Sequence, residues 1–267
     1  MLIECLPFNN VVTTGLATIN FNNLLGFTLE KLMLELGGSA LTKTMLTDID
    51  IKANTKTIFK DTGTRTDNRM TYRGETADAA YLMLDFTESR AKTIQGQKIG
   101  AIDTTAGISS LTGEITITGA TAPTLKAYAE VSAPQEDPMI RGLIAKVFNY
   151  TISPAAAGTF PFDLPYGRAA GALIKRVHLF GSTVTGMEVK KNGITIHKAL
   201  NAANRYAQTA LGRAPVANVQ TIDFIKAGNQ SESLNMANAT SQEWYLTVSG
   251  AGNVVVVAEV YDPLNNN

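Results

Sequence analysis

Residues able to do chemistry are few and scattered in this 267-residue chain. The two histidines, His178 and His197, lie in apolar segments typical of strands, which indicates packing or surface positions. Cys5 has no companion that suggests a catalytic triad, and it lies near a terminus that we expect to be mobile. We therefore assign no catalytic, cofactor-binding or metal-ligating residue and predict that the chain is not an enzyme.

One acidic pair is a candidate for cation binding. Asp48 and Asp50 are two residues apart, so they share one face of a predicted strand. Carboxylates are ligands that calcium prefers, and a structural calcium ion is one interpretation of the pair. An exposed strand face is the other interpretation, and we predict no cofactor.

Four arginines make one polar region locally basic: Arg65, Arg69, Arg73 and Arg90. Tyr72 lies among them, but acidic residues in the same region offset their charge. We interpret residues 61–78 as a solvated or intersubunit loop in preference to a nucleic-acid-binding patch.

A glycine-rich motif near the C-terminus is interpreted as a turn. Gly250-Ala251-Gly252 lies between two predicted strands. A phosphate-binding loop would open a helix, so a hairpin turn explains this motif better.

Composition excludes several classes of protein. Lys and Arg number 23, as do Asp and Glu, so no excess of positive charge draws the chain to nucleic acid. One cysteine cannot form an internal disulfide. The N-terminus lacks the basic and long apolar regions of a signal peptide, and apolar runs such as VVVVA are too short to span a bilayer. We expect a protein that is soluble when made, with enough apolar residues for real cores.

An internal repeat organises the elements that position these residues. DIKANTKTIFK at 50–60 returns 138 residues later as EVKKNGITIHK at 188–198, with five of eleven positions identical. Each copy predicts a strand, a tight turn and a second strand, because Asn192-Gly193 tolerates the positive φ of a two-residue hairpin turn. Asn54-Thr55 is a weaker version of the same turn.

The repeat extends in both directions. Asp85-Phe86 matches Asp223-Phe224 at the same offset, and residues 114–134 match 243–263 at an offset of 129. Lys31 matches Lys175 at 144, and Trp244 falls opposite Ile115, which predicts a core position for the tryptophan. We infer two copies of one unit, with boundaries as follows: an N-terminal arm at 1–13, copies at 14–134 and 157–263, a linker at 135–156 and a tail at 264–267.

Each copy reads as a series of short strands separated by turn signals. In the first copy the strands are predicted at 15–21, 28–36, 47–53, 56–60, 81–86, 114–118 and 124–131. Gly37-Gly38 is expected to stop the second of these strands. The second copy repeats the order and adds a helix at 198–211, ended by Gly212, with an apolar face formed by Leu200, Ala203, Ala207 and Leu211. The predicted fold is all-β: two tandem jelly-roll sandwiches with a short helix in the second copy.

The linker has two interpretations. After Pro134–Pro138, a set of apolar residues recurs at helical spacing: Met139, Ile140, Leu143, Ile144, Val147 and Phe148. The segment is therefore either a short amphipathic helix or an extended strand that crosses between the copies.

The order of these features resembles the double jelly-roll major capsid proteins of tailless icosahedral viruses with an internal membrane, nearest to the corticovirus-type bacteriophages. The likeness rests on the duplication and on features of the second copy: Asp163-Leu164-Pro165, the Asn192-Gly193 hairpin, the helix to Gly212, Thr221-Ile222-Asp223-Phe224 and the closing strand with Glu259.

The resemblance implies a homotrimer whose six jelly rolls form a pseudo-hexagonal tile of an icosahedral shell over a lipid membrane. It implies as partners the neighbouring capsomers, other capsid or membrane proteins and the membrane, without sequence-specific nucleic acid. The implied location is the virion, after synthesis in the host cytoplasm. We expect the arm at 1–13 to point inward or toward a neighbour. The alternative is a jelly-roll receptor- or carbohydrate-binding protein, for which one Trp provides few stacking platforms.

Overall fold

A computed structural model describes residues 1–137, 141–169, 171–236 and 239–266. The strands are β1 (Leu2–Glu4), β2 (Gly15–Asn20), β3 (Thr28–Ala40), β4 (Leu46–Ala53), β5 (Lys56–Asp61), β6 (Tyr81–Asp85), β7 (Ile102–Asp103), β8 (Leu111–Ile117), β9 (Thr121–Ser132), β10 (Ile144–Ile152), β11 (Gly158–Phe162), β12 (Leu173–Phe180), β13 (Val184–Lys191), β14 (Ile194–Leu200), β15 (Val219–Asp223), β16 (Gln242–Val248) and β17 (Val254–Asp262). The α-helices are α1 (Gly63–Arg73), α2 (Ile94–Lys98) and α3 (Asn201–Thr209). Short 3-10 turns cover Asn22–Leu24, Lys43–Met45 and Gln230–Glu232.

The chain divides into two compact units. The first contains Met1–Thr71, Glu75–Val147 and Pro263–Asn267, and the second contains Tyr72–Gly74 and Phe148–Asp262.

The first unit consists of two antiparallel sheets. One has the strand order β1-β9-β3-β6, with β7 beside β3, and the other has the order β5-β4-β8-β2. Alternate residues of β8 are buried, as expected for a strand with one face on the core. Glycine is required at position 113 of this strand, because a Cβ there would lie 2.9 Å from Ile19 Cγ2 and 3.0 Å from Phe21 Cε2.

The second unit repeats this arrangement. Its sheets have the orders β10-β17-β12-β15 and β14-β13-β16-β11. Both supply one core, in which Val177, Leu179 and Val256 of the first sheet join Val189 and Leu246 of the second. Each strand stands where its counterpart in the first unit stands, so the predicted tandem jelly rolls are confirmed.

The structure distinguishes between the helix and strand interpretations of the linker over part of the segment. Ile144–Ile152 form strand β10, so the extended alternative is correct there. Met139 and Ile140 lie outside the described residues. Within the first unit, Val147 of β10 lies opposite Phe59 of β5 in a parallel pair.

A helix follows the hairpin in both copies, and the prediction of a helix in the second copy alone is wrong. Helix α1 begins 138 residues before α3, at the same position in the repeat. The loop predicted for residues 61–78 missed it. The Thr62 hydroxyl caps its first turn by accepting a hydrogen bond from the Arg65 N–H at 3.3 Å.

The predicted apolar face of the second helix is also wrong. Helix α3 begins at Asn201, so Leu200 ends strand β14, and both Leu200 and Leu211 are exposed. The buried residues are instead Asn204 and Gln208, whose side-chain amides donate to the Thr221 carbonyl at 2.7 and 2.6 Å. A buried polar face is stable here because its amide donors are satisfied. Gly212 follows the helix with φ +78°, as predicted for a helix end.

Two further predictions of local structure fail. Strand β3 does not stop at Gly37-Gly38 but continues to Ala40, because Gly38 adopts φ +90° and stays opposite Pro123 of β9. Cys5 is not on a mobile terminus: β1 pairs with β9, and the Cys5 N–H donates to the Ala127 carbonyl at 2.9 Å.

Candidate functional site

A carboxylate with two lysines and a threonine recurs on the hairpin of each copy. In the first, Asp50 accepts a hydrogen bond from Thr57 at 2.9 Å and lies 3.7 Å from Lys52 and 3.9 Å from Lys60. In the second, Glu188 accepts one from Thr195 at 3.4 Å and lies 3.6 Å from Lys190 and 3.1 Å from Lys198. Every member of the second set stands 138 residues after its counterpart, so the duplication preserves interactions as well as strands.

The side chains of these hairpin sets form ion pairs and do not form a catalytic arrangement. The hydrogen bond from Lys198 lowers the pKa of Glu188 below its ordinary value, with further help from the charge of Lys190. A hydrogen bond to Glu114, at 2.7 Å, raises the pKa of Lys52. Both groups therefore keep their charges through the neutral range.

Asp48 and Asp50, the acidic pair considered for calcium, form ion pairs with lysines. Asp48 lies 3.3 Å from the Lys60 ammonium, and Asp50 has the two lysines described above. Among the described residues, no group of three or more His, Cys, Asp or Glu side chains could hold a metal ion.

The hairpin turns themselves are equivalent. Asn54 and Asn192 have φ 49° and 52°, as predicted for the first position of each turn. The side-chain oxygen of Asn54 accepts the N–H groups of Ser109 and Ser110 at 2.8 and 3.3 Å. That of Asn192 accepts the N–H groups of Thr240 and Ser241 at the same two distances.

The second unit encloses a buried ionic cluster, formed by Arg176, His178, Arg213, Asp223 and Glu259. Arg176 of β12 lies 3.2 Å from Asp223 and 3.0 Å from Glu259, since strand pairing places it between β15 and β17. Arg213 is 3.1 Å from Asp223. Two guanidinium groups thus face two carboxylates, which balances the buried charge.

Tyr72 completes the buried ionic cluster. Its hydroxyl donates to Asp223 at 3.1 Å, and its ring meets that of His178 edge to face. Burial, followed by the negative charge of Asp223, raises the pKa of the Tyr72 hydroxyl far above its ordinary value. The phenol therefore stays protonated and serves as a hydrogen-bond donor.

The two histidines occupy packing positions, as predicted. His178 is fully buried, with Nδ1 2.9 Å from Thr221 Oγ1 and Nε2 3.3 Å from Glu259. His197 is half-buried, and burial, with the nearby positive charge of Lys226, lowers its pKa. In the buried ionic cluster, guanidinium groups hold both carboxylates, and the cluster contains no nucleophile. The cluster can position strands, but it offers no acid, base and nucleophile set.

The first unit contains a smaller form of the same arrangement. Lys31 of β3 lies opposite Asp85 of β6 and Glu130 of β9, and its ammonium is 3.1 Å from Glu130. Burial lowers the Lys31 pKa, but the hydrogen bond to Glu130 and the charge of Asp85 raise it more. The register shows that Arg176 takes the place of Lys31. The match of Lys31 with Lys175 is therefore displaced by one residue.

The arginines of residues 61–78 do not form a solvated loop, and that prediction is wrong. Arg65 and Arg69 on α1 both bind Asp61, and Arg69 is buried with its guanidinium 5.3 Å from the centre of the Phe59 ring. Arg73 is also buried, whereas Arg90 is exposed. The sequence signal that would have found this helix is the second-copy helix projected back by 138 residues.

The core position predicted for Trp244 is confirmed, whereas the hairpin predicted near the C-terminus is not. Trp244 is 1% exposed in the core of the second unit, so it cannot serve as a stacking platform for sugars. Gly250–Gly252 connect β16 to β17 without opening a helix, but these strands belong to different sheets, so the predicted hairpin turn is wrong and the segment is a connection between sheets.

Exposed apolar side chains mark one edge of the second unit. They lie on β14 and on and after α3: Ile194, Ile196, Leu200, Tyr206 and Leu211. None of the helices among the described residues has the length and apolar content needed to cross a membrane.

Solved structures with the same fold are viral capsid proteins. The crystal structure of the major capsid protein P2 from bacteriophage PM2 matches with a TM-score of 0.90 at 19% identity, covering 100% of this chain and 98% of that chain. The major capsid protein of Sulfolobus turreted icosahedral virus matches at 0.73 and 14% identity, covering 98% and 96%. The PBCV-1 virus capsid matches at 0.66 and 11% identity, covering 98% and 92%. No curated protein matched the chain significantly.

Family models match both halves of the sequence in order. The model of the viral coat protein P2 N-terminal domain matches residues 2–132, and that of the C-terminal domain matches residues 144–264. Together the two models cover nearly the whole chain. The chain therefore belongs to the viral coat protein P2 family and is a structural component of the virion, with neighbouring capsomers as its partners.

Proposed function

We propose that three copies of this chain form a trimer whose six jelly rolls imitate six-fold symmetry, and that these trimers tile an icosahedral shell. The observation that supports the proposal best is the repeated strand order, together with the matching hairpin sets around Asp50 and Glu188. Two like units per chain let a three-fold assembly present six similar sides, so one protein fills hexagonal positions in a lattice.

We propose further that the shell encloses a lipid membrane and contacts other capsid or membrane proteins. This part extends the likeness between the chain and capsid proteins of the double jelly-roll type. Zero formal net charge favours such dense packing, because many copies meet edge to edge without accumulating repulsion.

The boundaries inferred from the repeat belong to the same proposal: an arm at 1–13, jelly rolls at 14–134 and 157–263, a linker at 135–156 and a tail at 264–267. The two family matches, at 2–132 and 144–264, support a division of the chain between residues 132 and 144.

Sedimentation velocity of the purified protein, followed by electron microscopy, tests the trimer and the shell. We expect a particle of three times the 28.5-kDa chain, hexagonal in outline, that assembles into closed shells. A stable monomer, or a dimer with two-fold symmetry, would contradict the proposal. Flotation of the protein with anionic lipid vesicles tests the membrane contact separately.

A further inference from the structure

Strand β14 differs from its counterpart β5 in what covers it. Ile196 is 39% exposed, whereas the equivalent residue of β5, Ile58, is 0% exposed. The hairpins have the same turn and the same ion pairs, so the difference lies in their surroundings and not in the hairpins.

In the first unit, covering groups surround β5. Phe86 meets the Phe59 ring edge to face, Arg69 lies over the same ring, and Val147 of β10 pairs with Phe59 in parallel. The jelly roll is thus able to accept a parallel strand at this edge.

In the second unit, β14 is the last strand of its sheet, and no other described strand pairs with its outer edge. An exposed apolar edge strand is a template for pairing with another chain. Main-chain hydrogen bonds supply the affinity in such a contact, and alternate side chains supply the specificity.

Strand β1 is the element of a second copy that fits this edge. It lies beside β9 as β10 lies beside β17, so it is the counterpart of the strand that β5 pairs with. The Met1 amino group and the Cys5 N–H point to β9, where they bind the Val131 and Ala127 carbonyls. Because strand residues alternate, the N–H groups of Leu2 and Glu4 point to the outer edge. The Glu4 carbonyl accepts one hydrogen bond from the Asn23 side chain.

The charges of the two edges are complementary. Glu4 is exposed on β1. The hydrogen bond to Glu35 raises the pKa of nearby Tyr128 to about 12, and the negative charge of Glu4 is one of the smaller contributions. On the other edge, the Lys198 side chain is 69% exposed, and Lys226 places a second positive charge near His197. Charges of opposite sign across a contact steer association and fix its register.

We propose that β14 of one chain accepts β1 of a second copy as a parallel strand, with Glu4 next to Lys198. The inference rests on the proposed trimer and names the edge through which its subunits join. It also gives the N-terminal residues a role in assembly.

Engineered disulfides test the contact. In a Cys5→Ser background, Glu4→Cys is combined with either Ile196→Cys or Lys198→Cys. The two alternatives on β14 cover two possible registers of the parallel pair. A disulfide requires Cα atoms within about 7 Å, which neighbouring strands satisfy. Oxidation is expected to give covalent dimers and trimers on a non-reducing gel. The matched control pairs Glu4→Cys with Thr159→Cys, which is exposed on β11 at the opposite edge of the same sheet, and should give monomers.

Sedimentation of the unmodified protein separates the two proposals. A trimer that cross-links through Thr159, or through neither edge, overturns the β1–β14 contact and leaves the trimer standing. A monomer overturns the proposed function and this contact with it.

A charge exchange gives a second test. Lys198→Glu should weaken trimer association about tenfold, since it places two carboxylates in contact, and Glu4→Lys in the same chain should restore it. Lys60→Glu, at the equivalent position of β5, should change association less than about twofold. Association that Glu4→Lys fails to restore would contradict the proposal, provided that circular dichroism shows every variant folded.

Discussion

At the residue scale, the two copies contain equivalent ion pairs that differ in their exposure to solvent. Glu259 and Arg176 have side-chain exposures of 2% and 0%, whereas Glu130 and Lys31 have exposures of 40% and 19%. Removing one partner of a buried pair leaves a charge without compensation, whereas water replaces a lost partner at the surface. The cost of breaking the pair should therefore depend on the copy.

We predict that Glu259→Gln lowers the free energy of unfolding by about 3 kcal/mol. The same change at Glu130 should cost less than about 1 kcal/mol. Urea unfolding, followed by Trp244 fluorescence for the second unit and by circular dichroism for the whole chain, measures both. Equal losses would show that burial does not set the strength of these pairs.

Some of these residues could be predicted from the sequence and some could not. Trp244 and His178 were predictable, since strand-like neighbours and an apolar counterpart indicate packing. The place of Arg176 was not, because its neighbour Lys175 is identical to Lys31 and set the alignment one residue away from the register that the strands adopt. Nor was the burial of Arg69 and Arg73, because long charged side chains are buried only when tertiary partners are in place.

At the element scale, β3 continues through a glycine that the sequence identifies as a stop. Gly38 has φ +90°, and a Cβ there would lie 2.0 Å from the Ala122 carbonyl oxygen. Gly26 has a similar φ of +95°, but a Cβ there would meet no heavy atom within 4 Å. An alanine at position 26 would therefore suffer backbone strain alone, whereas an alanine at position 38 would suffer backbone strain and steric overlap.

We predict that Gly26→Ala costs about 1 kcal/mol of unfolding free energy, the price of a left-handed conformation alone. Gly38→Ala should cost at least about 3 kcal/mol, because strand β3 or β9 must also shift. Thermal unfolding of both variants checks the difference. Similar melting temperatures for the two would refute the close approach of β9.

Helices were harder to predict than strands in this chain. Only Met70 and Tyr72 are apolar in α1, and both are buried, so its amphipathic signal is weak. In α3 the buried positions are amides, which no hydrophobic pattern reveals. Strand positions and turns were predictable because alternation and the Asn-Gly turn are local signals.

At the scale of the whole molecule, Cys5 reports on the attachment of the N-terminus. Burial, with a smaller contribution from Glu4, raises its pKa from 9.0 to about 12. A raised pKa favours the folded chain below about pH 9, and that contribution declines as the pH rises toward 12.

We predict that a disulfide reagent labels Cys5 slowly at pH 8 in the native protein and immediately in denaturant. Between pH 8 and pH 10 the native rate should keep rising about tenfold per unit, because the thiolate remains a minor form. Deletion of residues 1–4 should remove this protection. A rate that levels off near pH 9 would mean that the thiol is already exposed.

The repeat predicted the order of strands across the whole chain, because offsets change only where loops absorb insertions. It could not predict that Tyr72–Gly74 belong to the second unit, since a repeat read along the chain gives contiguous halves.

The assignment of Tyr72–Gly74 to the second unit bears on whether that unit can be produced as a separate fragment. The Tyr72 hydroxyl binds Asp223, and its carbonyl accepts the Ala214 N–H at 3.0 Å. A fragment that starts at residue 148 would carry every strand of its sandwich from β11 onward and still lack both bonds. The second unit thus recruits three residues from the other half of the sequence, and a protein cut where the repeat begins again should be less stable than the same unit in the whole chain.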